Sequence, residues 1–177
     1  MTTYRSISAA GMASRVVVIH CSDPRYQPHF QDFLRTGLGL NHYGLIAIPG
    51  GAQMLSPSES REALRNQGAA WFDFMSNLMT AERCILIGHA DCRWYLENLI
   101  APEAAALKET QARDLRAVER AIHKRFPLIR TELYFGEIQG EQAEFTMLQT
   151  VREMEDAPLG SDEHEEHETF LPPTNPS

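Results

Sequence analysis

Two short segments of this chain carry side chains suited to metal and acid–base chemistry. They are Cys21-Ser22-Asp23-Pro24-Arg25 and His89-Ala90-Asp91-Cys92. Two thiolates and one imidazole make a good donor set for zinc, and three protein ligands leave a fourth tetrahedral position open. The three-residue offset between His89 and Cys92 brings both side chains to one side of a single turn, so that they can share an ion. Asp23 lies two residues beyond Cys21, which on an extended segment puts both on one face. Pro24 biases Asp23 toward that extended geometry, and Arg25 offers its carboxylate a planar guanidinium fork.

The elements that must position these groups can be read from hydrophobic patterning. Val16-Val17-Val18-Ile19 and Cys84-Ile85-Leu86-Ile87-Gly88 are β-branched or aliphatic runs without alternation. Such runs fit strands buried on both faces, as in a parallel sheet. Each chemical segment directly follows one of them. In an open parallel sheet, residues just past the carboxyl ends of the strands share one edge, where ligands bind. Cys21, His89 and Cys92 can therefore converge although they are distant in sequence. Leu45-Ile46-Ala47-Ile48 reads as another buried strand, stopped by Pro49-Gly50-Gly51.

The intervening segments read as helices. One contains Phe30, Phe33 and Leu34 and ends at Gly37. A second is expected to start at a capping box, with Ser56 as cap, Pro57 in the first position and Glu59 completing S-x-x-E. Leu64, Gly68, Trp71, Phe72, Met75, Leu78 and Met79 then mark one long amphipathic face. Pro102 introduces a further helix with Leu107, Gln111, Leu115, Val118, Ile122 and Phe126 along it, limited by Pro127. Alternation from Ile129 to Phe135 and a turn at Gln139-Gly140 leading to Ala143–Met147 read as a hairpin at a sheet edge. The expected class is α/β, a mostly parallel sheet flanked by helices with an edge hairpin.

A length of 177 residues suits one domain with a tail. The expected division is an N-terminal arm (1–14), a zinc domain (15–151) and an acidic, disordered tail (152–177). With 43% hydrophobic residues most of the chain can bury a core. The formal charge of −8 argues against a nucleic-acid backbone or an anionic membrane as the main partner. Three cysteines do not make a disulfide framework, and no stretch has signal-peptide or membrane-span character. A cytoplasmic location is expected.

The pair of motifs C-x-D-x-R and H-x-x-C, each after a buried strand and in this order, resembles the β-class carbonic anhydrases. The resemblance covers roughly Arg15 to Met147. It implies a zinc ion held by Cys21, His89 and Cys92, with Asp23 and Arg25 as the functional pair beside it. Asp23 then either accepts a hydrogen bond from zinc-bound water or fills the fourth position itself. The implied reaction is reversible hydration of carbon dioxide to bicarbonate by a zinc-bound hydroxide, in a homodimer or a higher oligomer built from dimers. The implied active site lies near the subunit interface.

The chain departs from the family pattern where the substrate pocket is lined. Ile48-Pro49-Gly50-Gly51-Ala52-Gln53 stands where the family carries an Arg-Asn-Ala-Gly or similar run, and Arg93-Trp94 follows Cys92 in place of glycines. Gln27, Gln31 and Gln53 are the nominees for a substrate-facing glutamine. Two alternatives follow: a related zinc hydrolase acting on carbonyl sulfide or carbon disulfide, and a non-catalytic zinc-stabilised module that binds an anion or a partner. Simpler roles are expected elsewhere. Cys84 and His20 read as packing residues, Asp91 as a turn cap, and His29 and His42 as surface histidines. His164 and His167 read as part of a solvated acidic run.

Overall fold

A computed structural model describes residues 14–98 and 104–151. The arm up to residue 13, Pro102, and the acidic tail with His164 and His167 lie outside the described residues. Between them runs a five-stranded sheet in the order β2-β1-β3-β4-β5. Its strands are β1 (Val16–Cys21), β2 (Gly44–Ile48), β3 (Arg83–His89), β4 (Arg130–Gln139) and β5 (Gln142–Leu148). β1 to β4 are parallel, and β5 returns antiparallel beside β4 to form the expected hairpin.

Helices cover both faces, which explains why β1 and β3 lack alternation. Val17, Ile19 and Leu86 point to one side, where they meet Phe72 of helix α2 (Glu62–Met79). Leu115, Val118 and Ile122 of α4 (Ala104–Arg125) complete that layer. Val18, Ile85 and Ile87 point to the other side, against Tyr26, Phe30 and Leu34. Phe30 belongs to α1 (Gln27–Asp32), which continues as a π-helical turn through Phe33–Gly37. A short helix α3 (Arg93–Glu97) closes the carboxyl edge of the sheet.

The expectation of a strand buried on both faces fails at β2. It is the end strand of the sheet, and Leu45 and Ala47 are exposed while Gly44 and Ile46 are buried. Its apolar composition matches the central strands, but only β1 lies beside it among the described residues. The capping box fails as well. α2 begins at Glu62, with Arg61 as its N-cap and no side-chain cap, after a 3₁₀ turn at Gly51–Leu55. Ser56 and Ser58 instead donate to the Asp114 carboxylate of α4, at 3.2 and 2.8 Å. Glu59 is buried and held by the Arg61 guanidinium. Tertiary partners outcompete the local cap.

The α2 stripe is also only partly used. Gly68 and Phe72 of that stripe are buried, whereas its Trp71 and Leu78 are 41% and 66% exposed, as is Phe74 beside it at 65%.

Candidate metal centre

Register brings the chemical segments to one edge. β1 lies between β2 and β3, with Cys21 paired to Ile48 and His20 to Ile87. Cys21 and His89 are the last residues of β1 and β3, and Cys92 is the N-cap of α3. Between them Asp91 adopts a left-handed conformation, φ +53°, which reverses the chain so that His89 and Cys92 face inward together. Asp91 shapes this turn through its backbone, and its carbonyl accepts a hydrogen bond from Arg25 Nη2 at 2.9 Å.

The donor atoms of Cys21, His89 and Cys92 lie within 4.8 Å of one another. The Cys21 and Cys92 sulfurs are 3.9 Å apart. Two Zn–S bonds of about 2.3 Å at a tetrahedral angle span roughly 3.8 Å, so this separation suits a shared ion. His89 Nδ1 donates to the Ala90 carbonyl at 2.6 Å, because a carbonyl can only accept. That tautomer leaves Nε2 with a free lone pair. Nε2 is buried and has no hydrogen-bond partner among the described residues. A buried orphan of this kind calls for an explanation, and a metal ligand beside two thiols supplies one.

The thiols influence each other. The Cys21 thiol is pushed down, chiefly by its hydrogen bond with Cys92, while Cys92 is pushed up by the same partner and by burial. Two sulfurs so close cannot both ionise easily without a cation between them. Cys84, fully buried in the core, is raised by desolvation alone and lies outside the group.

The Asp23 carboxylate is not among the donors of that group. Its Oδ1 accepts from the backbone N–H and Nε of Arg25 at 3.0 and 3.1 Å, and its Oδ2 from Nη2 at 2.7 Å. This pairing with Arg25 holds Asp23 below the usual carboxylate range. The two side chains differ in exposure, 9% for Asp23 against 49% for Arg25. Gln27 Nε2 donates to the carbonyls of Cys21 and Asp23, at 2.9 and 3.2 Å, and so braces the loop. Gln31 lies away from the site, on the surface with Pro28 and Arg35. Gln53 is buried, and its Oε1 accepts from the Trp94 indole at 3.0 Å.

A cleft of about 550 Å³ opens beside the group, lined by Cys21, Asp23, Arg25, Pro49, Trp94 and Asn98 among others. His20 is buried, its ring stacked 4.3 Å from Phe30 and its Nδ1 2.8 Å from the Cys21 carbonyl. His29 is half-buried beside Tyr26, and His42 is exposed.

Some supporting residues escape sequence reasoning. Gln111 of α4 clamps the backbone of His89, accepting from its N–H at 3.1 Å and donating to its carbonyl at 2.7 Å. Its one signal is an amide within the apolar stripe of α4. Asp114 accepts from the Tyr95 hydroxyl at 3.0 Å and so ties α3 to α4. Nothing in the sequence marks that pair.

No protein-family model matches the chain, and no curated protein matches it in sequence. Solved structures do. A β-carbonic anhydrase of the fungal pathogen Aspergillus fumigatus superposes with a TM-score of 0.51 at 13% identity, covering 80% of this chain and 78% of that one. The fold is that of the β-carbonic anhydrases. β-Carbonic anhydrase isoform I of Trichomonas vaginalis follows with a TM-score of 0.49 at 10% identity, covering 82% of this chain and 88% of its own. A tetrameric β-carbonic anhydrase of Sordaria macrospora scores 0.47 at 16% identity, covering 80% and 85%. Within the β-carbonic anhydrase fold this chain is thus a divergent sequence, and its candidate donors stand at the sheet edge where the motifs place them.

Proposed function

We propose that this protein is a zinc-dependent lyase that interconverts carbon dioxide and bicarbonate. The observation that carries the reading is the orphaned His89 Nε2, buried beside two thiols whose sulfurs are 3.9 Å apart. Cys21, His89 and Cys92 are the residues that would hold the ion. Zinc, when bound, supplies a Lewis acid that makes water a nucleophile near neutral pH.

The chain's own residues do the rest. The Ala90 carbonyl fixes the imidazole tautomer, and Gln111 fixes the strand end that carries it. Asp23, kept ionised by Arg25, would accept a hydrogen bond from water at the site and so orient it. Arg25 orients that carboxylate and, through the Asp91 carbonyl, locks the two motifs together. The buried aromatic wall of Tyr26, 4.2 Å from the His89 ring, keeps bulk water from the imidazole face.

Stopped-flow hydration of carbon dioxide by the zinc-loaded full chain tests the reading across pH. Activity that requires Cys21, His89 and Cys92 is expected. Asp23→Ala is expected to retain zinc and lose activity about 100-fold or more, whereas full activity in that variant contradicts the role given to Asp23. A second reading, hydrolysis of carbonyl sulfide or carbon disulfide at the same ion, is favoured by Trp94 and Pro49 in the cleft.

We infer also that the chain forms a homodimer or a larger homo-oligomer. The end strand β2 and α2 present Leu45, Ile48, Trp71 and Phe74 along one groove. An apolar surface beside a strand edge that no described residue pairs favours association. No helix among the described residues is long and apolar enough to cross a membrane.

A further inference from the structure

Resting on the metal reading above, we propose that Trp94 is a specificity-determining residue of this site. Its indole stands at the inner end of the cleft, admits small linear molecules to the metal group and turns larger ones away. The cleft touches the donor group only through Cys21; neither His89 nor Cys92 lines it. The three residues are 6%, 0% and 1% exposed in the order Cys21, His89, Cys92. The opening is therefore wide outside and narrow at the donors, and Trp94 packs directly against the cluster that contains Cys21 and Cys92.

A wall selects by size only if it cannot swing aside, and Trp94 is braced from several directions. Its Nε1–H donates to Gln53 at 3.0 Å. The Arg61 guanidinium lies over the ring, 4.6 Å from its centroid. Gly50 presses against the pyrrole side, where an added Cβ would come within 2.3 Å of Cδ1; with φ at +76°, this position is suited to glycine on both counts.

The brace continues behind the ring. Arg61 Nη1 donates to Asn98 Oδ1 at 3.1 Å, and Asn98 Nδ2 donates to the Trp94 carbonyl at 2.8 Å. Buried Glu59 holds Arg61 through both carboxylate oxygens. The adjacent Arg93 is exposed and, among the described residues, pairs with Glu97 one turn on. Within one short helix, Arg93 borders the cleft with its side chain largely in solvent, whereas Trp94 is held against the donor cluster. Discrimination by steric exclusion needs this kind of preorganised wall.

Cobalt(II) substitution tests the proposal without recourse to turnover. The full chain is loaded with cobalt, and its visible bands are titrated with azide, a linear triatomic anion, and with benzoate. The native protein and Trp94→Phe are expected to bind azide and to disfavour benzoate. Trp94→Ala is expected to tighten benzoate about tenfold relative to azide. An unchanged benzoate-to-azide ratio in Trp94→Ala overturns the proposal, as does a Trp94→Phe variant that opens to the same extent. Absence of the thiolate-to-cobalt charge-transfer band in native protein rejects the metal reading and this inference together. Presence of that band with an unchanged ratio rejects the inference alone.

Discussion

The two nitrogens of His89 have opposite fates, and the chemistry of the site follows from that difference. Nδ1 is satisfied by Ala90, and Nε2 has no partner except what the two thiols can share with it. Its geometry depends on Gln111, which grips the backbone on both sides of the residue. Gln111→Leu is expected to weaken zinc binding roughly 10- to 100-fold, measured by competition with a chromogenic chelator, with little change in secondary structure by circular dichroism. At Asp23 the sign of the pH effect is fixed by the Arg25 pair. The native pKa lies below the ordinary carboxylate value, so the stabilisation is present above that value and lost as pH falls through the lowered one. Urea unfolding should therefore show Arg25→Ala differing most from native protein near neutral pH, with the difference fading on acidification. The donors themselves were legible from the sequence, because cysteine and histidine at strand ends are chemically distinctive. Gln111 and Asp114 were not, because their partners come from another element.

Among the elements, β1 and β3 were legible because burial on both faces leaves an unbroken apolar run. β2 carries the same kind of run yet lies at the sheet end, and composition alone does not report strand order. The helix expected from Ser56 shows the converse failure. Its capping residues have the right types and spacing, but Asp114 and Arg61 offer them stronger partners. Glu59 is held at about 2 by Arg61, so that this pair stabilises the turn before α2 above the ordinary carboxylate range and less as pH falls toward that value. The other end of α2 is closed by Thr80 in the left-handed region, φ +50°, where a β-branched residue is strained. Thr80→Gly is expected to raise stability by about 1 kcal/mol, read from the urea midpoint at unchanged slope.

For the whole molecule, the amphipathic face of α2 divides between core and surface. Trp71 and Phe74 lie exposed next to the β2 edge, and Leu78 is exposed one turn further along the helix. A double variant, Phe74→Glu with Leu78→Glu, is expected to shift the protein to monomer in analytical ultracentrifugation while leaving its fold intact. A monomeric native protein would contradict the association proposed above. The net charge of −8 says little about the site, since the run from Asp162 to Glu168 holds much of the acidic excess and lies beyond the described residues.

The proposed zinc site of Cys21, His89 and Cys92 lies at the carboxyl edge of the sheet. It is tested most directly by the metal content of the purified full chain, measured by inductively coupled plasma mass spectrometry alongside Cys92→Ser and His89→Ala. The expected result is about one zinc per chain in the native protein and little in either variant. Native protein that takes up no zinc, or variants that keep the full complement, would contradict the account.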